Sequence, residues 1–345
     1  MFDKEDEHLD LFAGVDIGLR SCPHPSLLNG WFIGDDRCMN LTSRRSVLTS
    51  AAATIAALPL LNDLAGNGTA AVAAEGPTIP PREPLHSNTD LYSSTDFKEG
   101  TDWMRRFRCG GQPELGDNLR SSSMAVRSTA ILAPHGGAIE AGTSELCLAI
   151  AGYSHKEGPA AAMPSAVPGL VQRDYWMFEA LVNNEALHIT STLCDDPAAL
   201  AVCTNNLYAV SLHGFSPKKG PKNQILIGGR DRRLMENLAW AFDKHGLKPL
   251  SDNDDLSVTV TLAAADSELN GDDVRNFVNR TRTGAGAQLE ISTELRRAMF
   301  GTFDGAENRR ATAGTGFWNG FTNAVREAID VHELGLAKPA PSPSV

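Results

Sequence analysis

The chain has 345 residues, of which 42% are hydrophobic and 21% charged, as is ordinary for a globular protein. Its length is sufficient for one large domain or two small ones with a sizeable core. The formal net charge of −11 and the absence of a Lys/Arg-rich stripe argue against nucleic acid as a partner.

The N-terminal segment has the layout of an export signal. The pair Arg44-Arg45 precedes a modest apolar stretch over residues 47–61, and Ala71-Val72-Ala73 provides an A-x-A cleavage site. A paired arginine is typical of the twin-arginine route, and the apolar stretch is too short to span a bilayer, which takes about 20 residues. We therefore expect residues 39–74 to be a twin-arginine signal peptide and the protein to be secreted, with no stable membrane span after signal removal. A buried N-terminal helix is the alternative.

The segment before this signal, residues 1–38, is acidic where a signal is expected to be positive. We expect translation to start at Met39 and residues 1–38 to be a mis-called leader. Residues 1–74 carry nine acidic and five basic side chains, so the remaining chain has a net charge of −7.

The rest of the chain divides into a linker, one domain and a tail. Residues 75–90 are proline-rich and polar and are predicted to be a linker, and residues 336–345 are predicted to be a disordered tail of similar composition. Residues 91–335 contain no linker-like break and are expected to form a single domain. Its four cysteines allow up to two disulfides outside the cytoplasm, in any of three pairings that the sequence leaves open: Cys109, Cys147, Cys194 and Cys203.

Short apolar runs alternate with helical patterns in this domain. Strands are predicted at TAILAP (129–134), YWMFEALV (175–182), ALHITST (186–192), LYAVSLHG (207–214), QILIGG (224–229) and AQLEIS (287–292). Helices are predicted at SELCLAIAG (144–152), DRRLMENLAWAFDKHG (231–246) and FWNGFTNAVREAIDVHELG (317–335). Strands interleaved with helices predict an α/β layered fold with a mixed, largely parallel sheet, in which ligands bind at the carboxyl ends of strands.

Imidazoles and carboxylates fall at that end of the predicted sheet. His135 follows the first strand, His213 ends the fourth, and Glu290 lies on the last. A zinc hydrolase needs about three nitrogen or carboxylate ligands, an open position and a carboxylate base. The two histidines and Glu140, on the loop after His135, satisfy the ligand count, and Glu290 can act as the base.

Two nearby residues compete for roles in such a site. Glu145 lies in the first turn of a predicted helix, where a carboxylate favours the positive end of the helix dipole, so Glu140 is the better ligand candidate. His188 lies between apolar residues in a predicted strand, which favours a buried, hydrogen-bonded structural histidine. A histidine at a strand end can equally be structural, and a loop glutamate can simply be solvated.

Several motifs resemble, in order, those of the zinc-dependent poly-γ-glutamate hydrolase family of phages and bacteria. They are APHGGAIEAGTSELCLAIAG, LHITST, VSLHGF, IGGRD and NRTRTGAGAQLEIS followed by LRR, within about residues 90–300. The resemblance implies a three-layer α/β/α sandwich of the carboxypeptidase and phosphorylase/hydrolase type. It also implies one Zn²⁺ held by His135, Glu140 and His213, with Glu290 as the catalytic carboxylate.

Other expectations follow from this resemblance. Asn279-Arg280 resembles an Asn-Arg pair that grips a substrate carboxylate, a task that suits the arginine fork, whereas a surface loop arginine is the alternative. The expected reaction is hydrolysis of γ-glutamyl amide bonds in poly-γ-glutamate or a related γ-glutamyl peptide, by water that the metal activates and Glu290 deprotonates. The chain departs from the family pattern at Ala138, Ala141 and residues 193–195, which leaves substrate identity open.

Three other functions compete with this one. The first is a zinc amidase that acts on peptidoglycan stem peptides or N-acyl amino acids. The second is a non-catalytic, polymer-binding relative, which would have no use for Glu290. The third is a cysteine-based enzyme that uses Cys194, although export makes a free thiol less expected. The sequence leaves the oligomeric state open.

Overall fold

The computed structural model describes residues 85–110, 127–159, 163–251 and 255–336. The predicted leader and signal peptide (1–38 and 39–74) and all but the first residue of the predicted tail (336–345) lie outside these ranges, and so does most of the predicted linker (75–90). Within the described residues, no helix combines the length and apolarity required to cross a bilayer.

The described residues form seven strands and seven α-helices. The strands are β1 Trp103–Arg108, β2 Thr129–Gly137, β3 Tyr175–Ala180, β4 Tyr208–Phe215, β5 Gln224–Gly229, β6 Thr259–Leu262 and β7 Ala287–Ser292. The helices are α1 Asn88–Ser93, α2 Thr143–Ile150, α3 Pro197–Asn205, α4 Arg232–Lys244, α5 Thr293–Ala298, α6 Ala306–Thr312 and α7 Gly316–Leu334.

All seven strands belong to one sheet with the order β1-β3-β2-β4-β7-β5-β6. The pairs β2/β3, β2/β4, β4/β7 and β5/β6 are parallel, whereas β1/β3 and β5/β7 are antiparallel. The prediction of a mixed, largely parallel sheet is therefore confirmed. The parallel block β3-β2-β4-β7 brings the carboxyl ends of its strands to one edge, which is where such sheets hold ligands.

Helices cover both faces of the sheet, because its strands are apolar on both sides. Along β2, Ile131 and Ala133 join a core with α2, α4 and α7, whereas Ala130 and Leu132 join a second core with α1 and α3. Along β3, Tyr175 and Met177 alternate with tryptophan and phenylalanine in the same way. This alternation gives the three-layer α/β/α arrangement that the resemblance implied.

The segment 186–192 is not the strand that its apolar alternation predicts. It contains parts of two short 3₁₀ turns, Glu185–Leu187 and Ser191–Leu193, with His188 between them. Both edges of β2 are already paired, with β3 and β4, so no free edge is available there. The segment instead crosses the carboxyl end of the sheet, and His188 is half-exposed, not buried.

Some elements lack a strong sequence pattern. Strands β1 and β6 and the short helices α1, α3, α5 and α6 were not predicted. Helix α1 begins at Asn88, inside the predicted linker, because Ser87 accepts a hydrogen bond from the amide of Asp90 and Leu91 is buried. Helix α3 begins at an aspartate cap followed by proline, which is a recognisable start signal.

The four cysteines that the sequence left open to pairing are all free thiols. Cys109 is exposed, whereas Cys147, Cys194 and Cys203 are buried. Burial raises the pKa of the Cys194 thiol to about 12, so its thiolate is scarce at neutral pH. This environment opposes the hypothesis of a cysteine-based enzyme.

Candidate metal centre

Strand β2 delivers His135 to the carboxyl end of the sheet, and two glycines turn the chain toward Glu140. A Cβ on Gly136 would lie 2.1 Å from Ser144 Oγ, and Gly137 has a φ of 71° and lies against the backbone of Ala180. Neither position has room for a side chain. The turn closes through a 2.8 Å hydrogen bond from the Glu140 amide to the His135 carbonyl, which fixes the spacing of the two side chains.

The two predicted histidine ligands converge on the carboxylate of the third predicted ligand, Glu140. His135 Nδ1 lies 2.8 Å from Glu140 Oε1, and His213 Nδ1 lies 3.7 Å from Glu140 Oε2. All three side chains are buried, with relative exposures of 4%, 8% and 4%. The structure therefore brings together His135, Glu140 and His213 from two strands and a loop.

A fourth group, His188, also reaches this cluster. Its Nε2 lies 3.1 Å from His135 Nδ1 and 3.5 Å from Glu140 Oε1. His135, Glu140 and His188 offer ligand atoms within 4.8 Å of one another, close enough to hold a metal ion. Sequence reasoning placed His188 in the core, and its position in the quoted LHITST motif was the only signal for a role here.

The far nitrogens of two histidines are held by the protein, which leaves their Nδ1 atoms facing Glu140. His135 Nε2 lies 2.8 Å from the Ile189 carbonyl, and His213 Nε2 lies 3.0 Å from Ser211 Oγ. Metal-binding histidines commonly donate their second N–H to a carbonyl or similar acceptor, which fixes the tautomer and the ring orientation. The rings are thus oriented as ligands would be.

The donor set fits a zinc ion. Two donors about 2.1 Å from one tetrahedral zinc lie roughly 3.4 Å apart, and the distances from the Glu140 oxygens to nitrogens of His135, His188 and His213, 2.8–3.7 Å, bracket that value. Among the described residues, the set whose ligand atoms all lie within 4.8 Å of one another contains His188 and leaves out His213. Glu140 Oε2 is a buried oxygen that accepts no hydrogen bond from the described part of the chain, and a buried acceptor of this kind calls for a partner. Nitrogen and carboxylate oxygen are both common zinc ligands.

The protonation states of His135 and Glu140 suit metal binding, whereas the carboxylates of Glu140 and Glu290 raise the pKa of His213 despite its burial, so its ring must release a proton to bind a metal. Burial lowers the pKa of His135, so its ring is neutral at neutral pH. Burial by itself raises the pKa of the Glu140 carboxyl, but the hydrogen-bonded His135 and the neighbouring imidazoles of His188 and His213 hold that pKa well below its usual range. A neutral imidazole and an ionised carboxylate are the forms that bind metals.

Glu290 lies beside the cluster because of strand register. In the parallel pair β4/β7, His213 is directly opposite Glu290. Glu290 Oε1 accepts a 2.9 Å hydrogen bond from the Gln288 side chain, whose Oε1 in turn accepts one from Asn276 at 2.8 Å. Burial raises the pKa of the Glu290 carboxyl, although nearby His213 opposes that effect. A raised pKa suits a group that exchanges a proton near neutral pH.

A buried arginine that sequence reasoning did not single out supports both carboxylates. The Arg296 guanidinium donates to the carbonyls of Ala141 at 2.7 Å and Ile291 at 3.1 Å. It therefore ties the loop of Glu140 to the end of β7, one residue beyond Glu290. It also packs flat against Gly214, next to His213. The LRR that follows the Glu290 motif was its only sequence signal.

The expected substrate clamp, Asn279-Arg280, does not line the cavity at the cluster. The Asn279 amide group donates to the carbonyls of Gly271 and Asp273, and its oxygen accepts from the Gly286 amide. The backbone N–H of Arg280 donates to Phe277. The residues that line the cavity do not include either member of the pair. In this structure Asn279 braces a loop, and its role in substrate binding stays a prediction.

Glu145 has a structural partner. Its Oε1 accepts a 3.0 Å hydrogen bond from buried Arg309, and it does not belong to the cluster. Arg309 also donates to the Gly137 carbonyl, so this ion pair supports the back of the ligand loop. The preference for Glu140 over Glu145 as a ligand agrees with this arrangement.

A cavity of about 460 Å³ opens above the cluster. His135, Glu140, His188, His213 and Glu290 all line it, together with residues 190–192 and 267–273. This volume is in the range of small-ligand sites, which are about 300–1,000 Å³. The arrangement can hold a divalent ion and place a carboxylate base beside it.

Sequence comparison supports a relation to known hydrolases. A family model described as poly-γ-glutamate hydrolase matches residues 160–324, a span that contains His213 and Glu290 and begins after Glu140. The SPbeta prophage-derived UPF0714 protein YoqZ of Bacillus subtilis (strain 168) is 34% identical over 180 residues, 51% of this chain and 53% of YoqZ. The UPF0714 protein YmaC of the same organism is 31% identical over 202 residues, 58% of this chain and 71% of YmaC. The chain thus spans about half the length of YoqZ.

Solved structures show the same fold. A bacteriophage poly-γ-glutamate hydrolase aligns with a TM-score of 0.51 and 23% identity, over 70% of this chain and 94% of that chain. The zinc-free form of YndL aligns with a TM-score of 0.51 and 26% identity, over 72% of this chain and 98% of that chain. Taken with the family match and the coverage of YmaC, these similarities show that the chain belongs to the poly-γ-glutamate hydrolase family.

Proposed function

We propose that the protein is a zinc-dependent hydrolase that cleaves γ-glutamyl amide bonds in poly-γ-glutamate or a related γ-glutamyl peptide. The observation that carries this proposal is the juxtaposition of Glu290 with the cluster of His135, Glu140 and His213. A purely binding relative has no need of a buried carboxylate in register with a ligand histidine. The family match supports the choice of bond.

One zinc ion would be held by His135, Glu140 and His213. These residues are the three buried members of the cluster, and two of them have a second nitrogen held by the protein. His188 is 46% exposed at the rim of the cavity, so we assign it a position beside the ion and the substrate, not a place among the permanent ligands. When bound, zinc supplies Lewis acidity toward water and the amide carbonyl.

Glu290 holds and moves the proton. Its carboxylate accepts the proton of the attacking water, and the protonated carboxyl then donates it to the leaving amine. The hydrogen bond from Gln288 fixes the orientation of Glu290, and Asn276 fixes Gln288. Most of the cluster is buried, so its charges act in a medium of lower dielectric constant than water.

The first prediction separates the roles of base and ligands. Glu290→Gln is expected to keep zinc and lose about 10²–10⁴-fold in kcat, the usual contribution of a general base. His135→Ala, Glu140→Ala and His213→Ala are expected to lose zinc, whereas His188→Ala keeps it. Metal content of the purified variants and depolymerisation of poly-γ-glutamate measure both effects. An active Glu290→Gln enzyme would refute the role of Glu290. Zinc loss in His135→Ala, Glu140→Ala and His188→Ala but not in His213→Ala would show that His188, and not His213, is the third ligand.

We also propose that the protein reaches the outside of the cell through the twin-arginine route. The layout of residues 39–74 supports this proposal, and that route carries folded proteins, so zinc can be inserted before export. N-terminal sequencing of the precursor and of the exported protein tests it. A precursor peptide containing Trp31 would contradict a start at Met39.

A further inference from the structure

The cavity above the cluster offers no cationic side chain to a polyanionic substrate. No lysine or arginine is among the described residues that line it, although poly-γ-glutamate carries one α-carboxylate on every residue. A chain that reaches the cluster therefore meets cations elsewhere on the protein. A second cavity, of about 480 Å³, is lined by two arginines.

The second cavity lies on the other side of the turn that carries Glu140. Gly137 and Ala141 line this cavity, whereas His135 and Glu140 line the first. Ala180, at the end of β3, also lines the second cavity, so the two cavities follow one another along the carboxyl edge of the parallel block. Strand β3 is two positions away from β4 in the sheet, and neighbouring strands are about 4.8 Å apart, so the two cavities are roughly 10 Å apart along this edge.

Buried Arg309 fixes the wall of the second cavity that adjoins the turn. Its Nε donates to Glu145 at 3.0 Å, and its Nη2 donates to the Gly137 carbonyl at 3.2 Å. Its Nη1 donates to the Phe303 carbonyl, also at 3.2 Å. Each guanidinium nitrogen is engaged by the protein and the charge is paired with Glu145, so Arg309 shapes the cavity.

The second arginine of this cavity, Arg310, is the charged group without a partner. The acidic lining residues are both paired, Glu179 with Arg106 at 3.5 Å and Asp304 with Arg297 at 3.7 Å. Arg310 takes part in no ion pair or hydrogen bond with any residue that the structure describes. The unpaired charge of the described cavity lining is therefore positive.

Arg310 is nevertheless held in one orientation. A Cβ on Gly158 would lie 3.1 Å from Nη2, 3.2 Å from Cζ and 3.4 Å from Nε of Arg310, so the guanidinium lies flat where a side chain at position 158 would be. Arg310 is half-buried. A half-buried, oriented guanidinium with free N–H groups suits a carboxylate, because its planar fork matches the two carboxylate oxygens.

We propose that Arg310, in the second cavity, binds the α-carboxylate of a γ-glutamyl residue about two units away from the scissile bond. This inference rests on the proposed function and adds a distal subsite to it. A γ-linked residue has two more chain atoms than an α-linked residue, whose extended repeat is about 3.5 Å, so it spans roughly 6 Å. Two such units cover about the distance between the two cavities.

The test measures, by calorimetry, the binding of two γ-linked glutamate hexamers, one with free α-carboxylates and one with neutral α-amides. The protein is the zinc-loaded Glu290→Gln variant, so that the hexamers are not consumed. Adding Arg310→Gln is expected to raise the Kd of the free-acid hexamer about fivefold, as loss of one well-oriented ion pair does, and to change the Kd of the amide hexamer by less than about twofold. Arg233→Gln is the matched control, because it makes the same change of charge at an exposed position of α4 that lines neither cavity. It should leave both Kd values nearly unchanged.

A cleavage assay of the wild-type protein separates failure of this inference from failure of the proposed function. If the wild type cleaves neither hexamer but the Arg310-dependent difference in binding persists, the proposed reaction is wrong and the subsite stands. If Arg310→Gln leaves the Kd of the free-acid hexamer unchanged, the subsite is refuted, whether or not cleavage occurs. Glutarate is the probe for a free anion, and Arg310-dependent binding of glutarate with unchanged hexamer binding would assign the cavity to small anions and overturn the inference.

Discussion

Gly214 gives the most direct test of how the cluster is supported. It follows His213 on β4, and an ideal Cβ there would lie 2.4 Å from Cζ of Arg296 and 2.6 Å from its Nε and Nη2. The guanidinium cannot give way freely, because it is 5% exposed and donates to Ile291, Ala141 and Thr293. Gly214→Ala is therefore expected to force Arg296 out of this position.

The cost follows from the bonds that Arg296 would lose. Hydrogen bonds to charged groups are worth about 1.5–3 kcal/mol each, and partial relaxation will preserve some of the three. Alanine has less conformational entropy than glycine in the unfolded chain, and this difference offsets the cost by up to about 1 kcal/mol. The net expectation is a decrease of about 2–4 kcal/mol in the free energy of unfolding. Because Arg296 anchors the carbonyl beside Glu140, zinc affinity should also fall about 10–100-fold.

Urea unfolding of the metal-free protein measures the first effect, and zinc titration against a chelating competitor measures the second. Gly316→Ala is the matched control. Apart from its neighbours in the chain and its own helix backbone, no described atom lies within 4 Å of a Cβ added there, so this change should alter stability by less than about 1 kcal/mol. In an Arg296→Ala background, adding Gly214→Ala should cost little, because the contacting group is gone. A Gly214→Ala protein within about 0.5 kcal/mol of wild type would refute the reasoning.

Two further predictions concern the rest of the domain. Asp231 caps α4 through the Leu234 amide and pairs with His332 at 3.1 Å. Burial by itself raises the pKa of the Asp231 carboxyl, but the hydrogen bonds from His332 and from the Leu234 amide have the larger effect and lower that pKa. The ionised Asp231 therefore stabilises the folded state fully above the ordinary aspartate pKa of about 3.9. This contribution is lost as the pH falls through the lowered pKa of Asp231 in the folded protein. Asp231→Ala should lose about 1–2 kcal/mol in urea at pH 7, and an equal loss at pH 2 would contradict this account. Alkylation at pH 8, followed by peptide mapping, should show that Cys194 reacts about a hundredfold more slowly than Cys109, because a buried thiol forms little thiolate. Fast alkylation of Cys194 would support the hypothesis of a cysteine-based enzyme.

The sequence predicted much of the site because its groups stand at element ends. His135 and His213 follow apolar runs that form β2 and β4, and Glu290 lies within the run that forms β7. A glycine follows each of the two histidines, and at both positions, Gly136 and Gly214, the structure shows an approach too close for a side chain. Local patterns of this kind are readable because strand periodicity and glycine requirements depend on the nearest residues.

His188 and Asn279 show what local patterns miss. The alternation around His188 predicts a strand, but a strand needs a free edge, and which edges are free is decided by the whole sheet. The resemblance implies a carboxylate clamp at Asn279-Arg280, which stays a prediction, and no local pattern indicates that the Asn279 amide donates to the carbonyls of Gly271 and Asp273. Arg296 likewise gains its role only from carbonyls that lie 5 and 155 residues away in the chain.

By itself, the sequence determined the α/β class, the order of most strands and helices, and the residue types that can bind zinc, since these depend on periodicity and side-chain chemistry. Only the tertiary structure decided the register that places Glu290 opposite His213, the approach of His188 to the cluster and the presence of residues 267–273 in the lining of the same cavity. These features come from contacts between segments far apart in the chain, whose free energy depends on the packing of the complete sheet and its helices.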